Sequence, residues 1–369
     1  MKIAFLTSSR ADFGIYLPLL KEMRKDSFFD IRIIAFGTHL SSFHGYTIES
    51  IQSEDFVIDH LVENIMASDT AESIATSMAI TTLKFAYIWQ LEQHTYDLVF
   101  CLGDRYEMFA AVSAAIPFGI KFAHIHGGEN TPGSIDNQFR HCLSIFSILH
   151  FTSIEQYAER VKEITGSSLN IFAIGALGLD NLKSLTLLTA DQFFEKYKID
   201  IAKPSILVTY HPQTVKTEAN KFNAEQLVTA LKNFKNYQII ITMPNADTSG
   251  NSMRHVYIEF ASGSDNVHLI ENFGTLGYFS CMTLSRIIVG NSSSGIIEAA
   301  SCRKFAVNIG NRQEGRYTSG NVIQSAADAN SIVQACETAL MKKEYYGNNI
   351  YDKGGAAFKI IDAIKQWKS

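Results

Sequence analysis

Cysteine is scarce and unpatterned in this chain of 369 residues: five occur, Cys101, Cys142, Cys281, Cys302 and Cys336, and no two are spaced C-x-x-C. An odd, scattered set argues against a disulfide framework and a thiolate zinc site, and fits buried or free thiols in a reducing compartment. No stretch reaches the roughly 18 uninterrupted apolar residues of a membrane helix. The chain opens on an apolar strand, Lys2–Thr7, without the apolar segment and cleavage site of a signal peptide. A cytoplasmic protein with no membrane partner is therefore expected. The formal net charge of −5 lacks the basic excess of a general nucleic-acid binder, although local arginines can still meet an anionic small ligand.

What is present is ordinary globular composition, 46% hydrophobic and 19% charged, at a length that predicts two domains. Strands are predicted over Lys2–Thr7, Asp30–Phe36, Phe56–Leu61, Asp97–Leu102, Lys121–Ile125, Ile148–Thr152 and Leu169–Gly175. Their alternation with helices predicts a doubly wound parallel sheet. A long helix is predicted over 68–94, its course marked by Thr70, Ile74, Met78, Leu83, Tyr87 and Leu91, with its aromatic and Met residues assigned to the core. Small residues over Gly175–Asp180 and a polar run to Lys203-Pro204 put a hinge there. The α/β chain then divides into a Rossmann-like domain over 1–178 and a second over 179–353, leaving open whether the helix at 354–369 packs back on the first. The second half repeats the pattern with strands at Ile206–Tyr210, Tyr237–Met243, Val267–Ile270, Arg286–Val289 and Phe305–Ile309. Two such domains would form a cleft lined by both sets of strand ends.

The residues able to do chemistry collect where these strands end, the usual ligand-binding edge of an α/β sheet. His124 and His126 alternate at the end of the fifth strand, and Gly127-Gly128, Glu129, Asp136, Arg140 and His141 follow. A solvated loop would also be polar. The first strand–helix turn, Ser8-Ser9-Arg10-Ala11-Asp12, lacks the G-x-G-x-x-G dinucleotide fingerprint. Arg10 is there a candidate anion contact or an ordinary surface arginine. Asp104, between Gly103 and Arg105, suits a helix N-cap as well as a cleft acid.

In the second half, Gly290-Asn291-Ser292-Ser293-Ser294-Gly295 is the most specific motif. Small residues let the backbone approach a ligand, three hydroxyls donate to phosphate oxygens, and a following helix would offer free N–H groups and a positive dipole end. Without a lysine it is no Walker loop and needs neither phosphoryl transfer nor Mg²⁺. It reads as a grip on a diphosphate, with a plain serine-rich helix cap as the alternative. Arg312 and Arg316 would add charge-assisted bonds. Glu298 suits ribose hydroxyls or a bare helix face. His211, ahead of Pro212, is placed to neutralise a phosphate or protonate a departing oxygen.

In order along the chain, Thr7–Asp12, Gly103–Glu107, His124–Glu129, Asp136 with Arg140-His141, Thr209–Pro212, Pro244–Asp247, Gly290–Gly295 and Arg312-Gln313 resemble the motifs of the UDP-N-acetylglucosamine 2-epimerase family, in particular its hydrolysing branch. The resemblance implies two Rossmann-like domains in a GT-B-like arrangement with the active site in the interdomain cleft. It also implies a UDP-sugar substrate, no metal or other cofactor, and a homodimer or homotetramer. Carried over by residue, Arg10, His211, Asn245, Ser292, Ser293, Glu298 and Arg312 would bind the nucleotide diphosphate, with Ser294, Arg105 and Arg140 as further substrate contacts. Asp104, Asp136 and the 126–129 region would face the sugar. The catalytic set is then Asp104, His126, Glu129, Asp136 and His211.

The chemistry implied is loss of the C2 proton with departure of UDP across C1–C2, giving a glycal. Water then adds at C1 and a proton returns to the opposite face of C2. Free N-acetylmannosamine from UDP-GlcNAc, for sialic-acid-type sugars, is the first expectation. The same reaction on UDP-2,4-diacetamido-2,4,6-trideoxyglucose, for legionaminic acid, is the alternative, and a GT-B glycosyltransferase is the rival class. Some relatives carry glutamate where this chain has His126, so His126 and Glu129 compete for the second acid/base role. The kinase domain fused to animal members is not expected here.

Overall fold

Strand β1 (Lys2–Thr7) is buried from Ile3 onward, as a continuously apolar strand covered on both faces must be. The computed structural model describes residues 1–42, 45–66, 68, 70–130, 135–212, 219–244 and 248–368. After β1 come α1 (Arg10–Arg24), β2 (Asp30–Phe36), α2 (Ile48–Gln52), β3 (Ile58–Val62), α3 (Ala71–Glu92), β4 (Leu98–Leu102) and α4 (Tyr106–Ser113). Then β5 (Phe122–Ile125), α5 (Asp136–Phe146), β6 (Leu149–Thr152), α6 (Glu155–Thr165), β7 (Ile171–Ala173) and α7 (Gly178–Ser184) follow. The seven strands form one parallel sheet in the order β3-β2-β1-β4-β5-β6-β7. The order reverses between β1 and β4, which opens the crevice where such sheets receive ligands.

Beyond it the chain runs through α8 (Ala190–Tyr197), β8 (Ser205–Thr209), α9 (Ala219–Leu231), β9 (Gln238–Thr242), α10 (Thr248–Ser262) and β10 (Val267–Ile270). Then come α11 (Gly274–Leu284), β11 (Ile287–Gly290), α12 (Ser294–Ile297), β12 (Phe305–Ile309), β13 (Val322–Ser325) and α13 (Ala329–Met341). This second parallel sheet has the order β10-β9-β8-β11-β12-β13 and reverses between β8 and β11. The last helix, α14 (Ala356–Lys368), lies against α1. The chain divides into two compact units, one of residues 1–129, 135–181 and 353–369, the other of 130–134 and 182–352.

Each unit has its own core. In the first, Phe5 stacks on Phe100 with ring centroids 4.6 Å apart, and Ile360 and Ile364 of α14 close the same apolar cluster with no exposed surface. In the second, Ile206, Ile239, Val289 and Val307 carry the sheet's contribution to a core completed by α9, α10 and α13. No helix among the described residues is long and apolar enough to cross a membrane.

Three expectations change. Tyr87 of α3, assigned to the core, is 65% exposed, and Leu83 and Leu91 share that outward face; Phe85 and Trp89 are the aromatic residues buried instead. The hundred-degree step per residue puts 85, 88 and 89 on one side of the helix and 83, 87 and 91 on another. Secondly, β13 was not anticipated, because four residues at a sheet edge give too short a pattern to separate from loop. Thirdly, α12 is a single turn of four residues. The chain must return from β11 to β12 within fourteen residues, and it does so in a series of turns with Arg303 left-handed at φ +59°. Asn349 donates from Nδ2 to the Ile297 carbonyl at 2.8 Å.

Candidate active site

The first unit builds its site on the turn after β5. His126 is left-handed at φ +66°, a conformation that a side chain with Cβ rarely adopts. Gly128 follows at φ +77°, and a Cβ there would lie 2.2 Å from the Tyr157 carbonyl oxygen of α6. Glycine is what lets this turn press onto α6 and curl back. The curl brings His126 Nδ1 to 2.8 Å from Glu129 Oε1. A carboxylate accepts, so Nδ1 carries the proton and Nε2 is the nitrogen left to exchange one.

Glu129 is buried and multiply held. Besides His126, its Oε1 accepts from Ser153 Oγ at 3.4 Å, and Arg140 Nη1 stands 3.7 Å from Oε2. Arg140, buried on α5, turns its other terminal nitrogen to Asp104, donating from Nη2 to Oδ2. Four predicted residues therefore form one chain, His126–Glu129–Arg140–Asp104. Asp104 is not the N-cap of α4, a position held by Arg105 without a side-chain bond. Its carboxylate is drawn to Arg140 because a buried guanidinium needs a counter-charge more than the helix needs a cap. Asp136 opens α5 one turn before Arg140. Arg105 donates from Nε to Glu107 at 2.5 Å, and Glu107 has no exposed surface; Arg105 is thus engaged with its own helix. Arg10 opens α1 as an exposed residue.

His124, grouped with the ionisable residues of this edge, belongs to the scaffold. It has no exposed surface. Its Nε2 lies 3.0 Å from the Gly103 carbonyl, so that nitrogen carries the proton, and its Nδ1 accepts from Ser144 Oγ, also at 3.0 Å. It ties the turn bearing Asp104 to the helix bearing Arg140. Burial pushes its pKa down to about 3. Burial likewise lowers His39 and His150, each to about 4.

These folded-state values lie below that of histidine in an unfolded chain, so the unfolded chain binds protons first as pH falls. The stability they contribute is complete above about pH 6.5 and is lost toward pH 4, on the order of 2 kcal/mol per histidine at pH 5. Thermal melts between about pH 7.5 and 4.5 should show a falling midpoint, and His124→Gln should flatten part of that slope. A wild-type midpoint constant over the range would refute the assignment.

The second unit builds its site where β8, β11 and β12 end. Gly290 closes β11 at φ +145°, and a Cβ there would stand 1.9 Å from the Thr209 carbonyl oxygen; the two strand ends meet with no room for a side chain. Asn291, fully buried, then holds His211 by its backbone. Its Oδ1 accepts from His211 N–H at 2.7 Å, and its Nδ2 donates to the His211 carbonyl at 2.9 Å. The Asn291 carbonyl accepts from Arg312 Nη1 at 3.0 Å and from Gln313 Nε2 at 2.8 Å. One asparagine thus joins three strand ends and fixes both His211 and Arg312. Its place in a polar loop was the only sequence signal, and that does not distinguish a staple from a ligand contact.

Burial, and secondarily the charge of Arg312, push the His211 imidazole down to about 3. In the free protein it is a neutral hydrogen-bonding group, not a cation. The single turn of α12 supplies no macrodipole of consequence, and its first amides are already used: Gly295 N–H donates to the Ser292 carbonyl at 3.2 Å and Ile296 N–H to that of Ser293 at 2.9 Å. The donors this loop would offer an anion are therefore the serine hydroxyls, not the amides of α12. Glu298 follows immediately after the turn. Asn245 lies outside the described residues.

The sequence profile of the family described as UDP-N-acetylglucosamine 2-epimerase matches residues 21–365. The UDP-N,N'-diacetylbacillosamine 2-epimerase (hydrolyzing) of Legionella pneumophila is 33% identical over 364 residues, covering 99% of this chain and 95% of that protein. The GDP/UDP-N,N'-diacetylbacillosamine 2-epimerase (hydrolyzing) of Campylobacter jejuni is 33% identical over 348 residues, 94% of this chain and 89% of that one. Among solved structures, the UDP-GlcNAc 2-epimerase from Neisseria meningitidis bound to UDP-GlcNAc has a TM-score of 0.82 at 18% identity, over 99% of this chain and 100% of that one. At that identity the likeness is one of fold. With paired Rossmann-like units and a profile match over nearly its whole length, the chain belongs to the UDP-N-acetylglucosamine 2-epimerase family, in its hydrolysing branch.

Proposed function

We propose that the protein hydrolyses and epimerises a UDP-linked 2,4-diacetamido-2,4,6-trideoxy sugar of the N,N'-diacetylbacillosamine type, releasing UDP and the free 2-epimer. The observation that carries this reading is end-to-end kinship with the Legionella pneumophila enzyme named for that substrate. The first-unit residues suit proton transfer at C2. A base takes the C2 proton, the electron pair forms the C1–C2 double bond, and the C1–O bond breaks with UDP as leaving group. Water then supplies hydroxyl to C1 while an acid protonates C2 from the other face.

Glu129 is buried and held through Oε1 by His126 and Ser153, with Arg140 as counter-charge beside Oε2, which suits an orienting carboxylate. We therefore assign proton transfer to His126 through Nε2, opposite Asp136, with Asp104 held by Arg140 as an electrostatic partner. Ser292, Ser293, Arg312 and a neutral His211 donating a hydrogen bond would stabilise the departing diphosphate.

Incubation with each UDP-sugar in D₂O, followed by NMR, tests this. Free product of the inverted configuration, deuterated at C2, is expected from the diacetamido substrate at a higher kcat/KM than from UDP-GlcNAc. Preference for UDP-GlcNAc would move the assignment to free N-acetylmannosamine production. Interconverting UDP-sugars with no free sugar, or turnover only with an acceptor, would refute the hydrolytic reading.

A further inference from the structure

The serine loop is wired to residues that no ligand contact would require. Thr242 Oγ1, at the end of β9, shares its one proton between two acceptors, Thr209 Oγ1 at 2.9 Å and the Val208 carbonyl at 3.2 Å. Thr209 Oγ1 is 3.2 Å from the Tyr278 hydroxyl, which is 2.6 Å from Ser294 Oγ. Ser294 in turn donates to Ser292 Oγ twice, from its hydroxyl at 3.0 Å and from its amide at 3.3 Å.

The Ser294 bond to Ser292 sets the direction of the other hydroxyl contacts, since each hydroxyl has one proton to give. Because Ser294 spends its proton on Ser292, the short contact with Tyr278 must be Tyr278 donating to Ser294. The Tyr278 oxygen then accepts from Thr209, whose oxygen accepts from Thr242. Five hydroxyls, from the ends of β8 and β9, from α11, from the first residue of α12 and from the loop after β11, therefore point one way, and the last, Ser292, accepts twice and has its own proton to donate onward. Such one-way chains strengthen the terminal donor, because each bond polarises the next.

We infer that Tyr278 is a positioning residue for anion binding, acting through Ser294 to fix and polarise the Ser292 hydroxyl as a donor to the nucleotide diphosphate. Ser294 by this geometry acts on the ligand only through Ser292. The inference rests on reading this loop as the diphosphate grip.

Calorimetric titration of the full chain with UDP tests it, using Tyr278→Phe, Ser294→Ala, the double variant and Thr209→Val, with melting temperatures and the ³¹P spectrum of bound UDP alongside. Tyr278→Phe should weaken UDP binding about three- to tenfold and move the bound ³¹P resonances at unchanged melting temperature. Thr209→Val should give a smaller loss. Ser294→Ala should cost less in the Tyr278→Phe background than alone, because the chain is already cut. Wild-type UDP affinity in Tyr278→Phe, or strictly additive losses, would overturn the inference. Should Tyr278→Phe melt lower, Thr209→Val decides it by the same criterion. Failure of the wild-type protein to bind UDP would instead overturn the functional reading beneath it.

Discussion

Asp136→Asn is expected to cut kcat by about a thousandfold while leaving the dissociation constant for UDP within about twofold of wild type. The substitution is isosteric and sits at the first residue of α5, where asparagine starts a helix as acceptably as aspartate. Phe139, Arg140, Leu143 and Ser144 bury the face of that helix, so its placement does not depend on the charge at 136. What disappears is a carboxylate able to take or give a proton, worth roughly two to four orders of magnitude in a proton-transfer step. Single-turnover rates on the UDP-sugar together with UDP titration separate the two effects. Lost UDP affinity with preserved chemistry would place Asp136 in nucleotide binding and remove it from the C2 proton transfers.

The second large effect concerns the pair within the β5 turn. His126→Ala should lose about a thousandfold in kcat, with activity partly restored by added imidazole, since a free imidazole can occupy the vacated space and carry the proton. Glu129→Gln should lose less, about ten- to a hundredfold, because an amide still accepts from Nδ1 but no longer fixes the tautomer with a charge. Imidazole should not restore it. That substitution also strips Arg140 of one of its two carboxylates, so a modest drop in melting temperature should accompany it. Should Glu129→Ala prove the more damaging and respond to formate instead, the proton carrier is the glutamate and His126 is its partner.

Both experiments depend on what could be read from the chain and what could not. The repeated switch from continuously apolar segments to polar, glycine-bearing turns was legible because parallel strands covered on both faces need apolar side chains in every position. Hence the buried strands β1 and β12 begin and end where the pattern does. The motif residues were legible for a related reason. Ligand groups in such folds sit at strand ends, and their order along the chain carried the family. Asp104, His126, Glu129 and Arg140 all follow the strands β4 and β5 in sequence.

The pairings among them were not legible. Arg140 is 36 residues from Asp104 in sequence, and Asn291 is 80 from His211. Such contacts exist only because β4, β5 and α5, or β8 and β11, are laid side by side, and nothing in the local pattern records which polar residue meets which. For the same reason no local pattern shows that both nitrogens of His124 are engaged, with Gly103 and Ser144, and nothing in the sequence around Tyr278 signals its contacts. The sequence alone determined the fold class, the family and the set of polar residues at the strand ends, through periodicity and residue type along the chain. Tertiary structure alone decided which of them meet, His124 with Gly103 and Ser144, Arg140 with Asp104 and Glu129, Asn291 with His211, because those partners are distant in sequence.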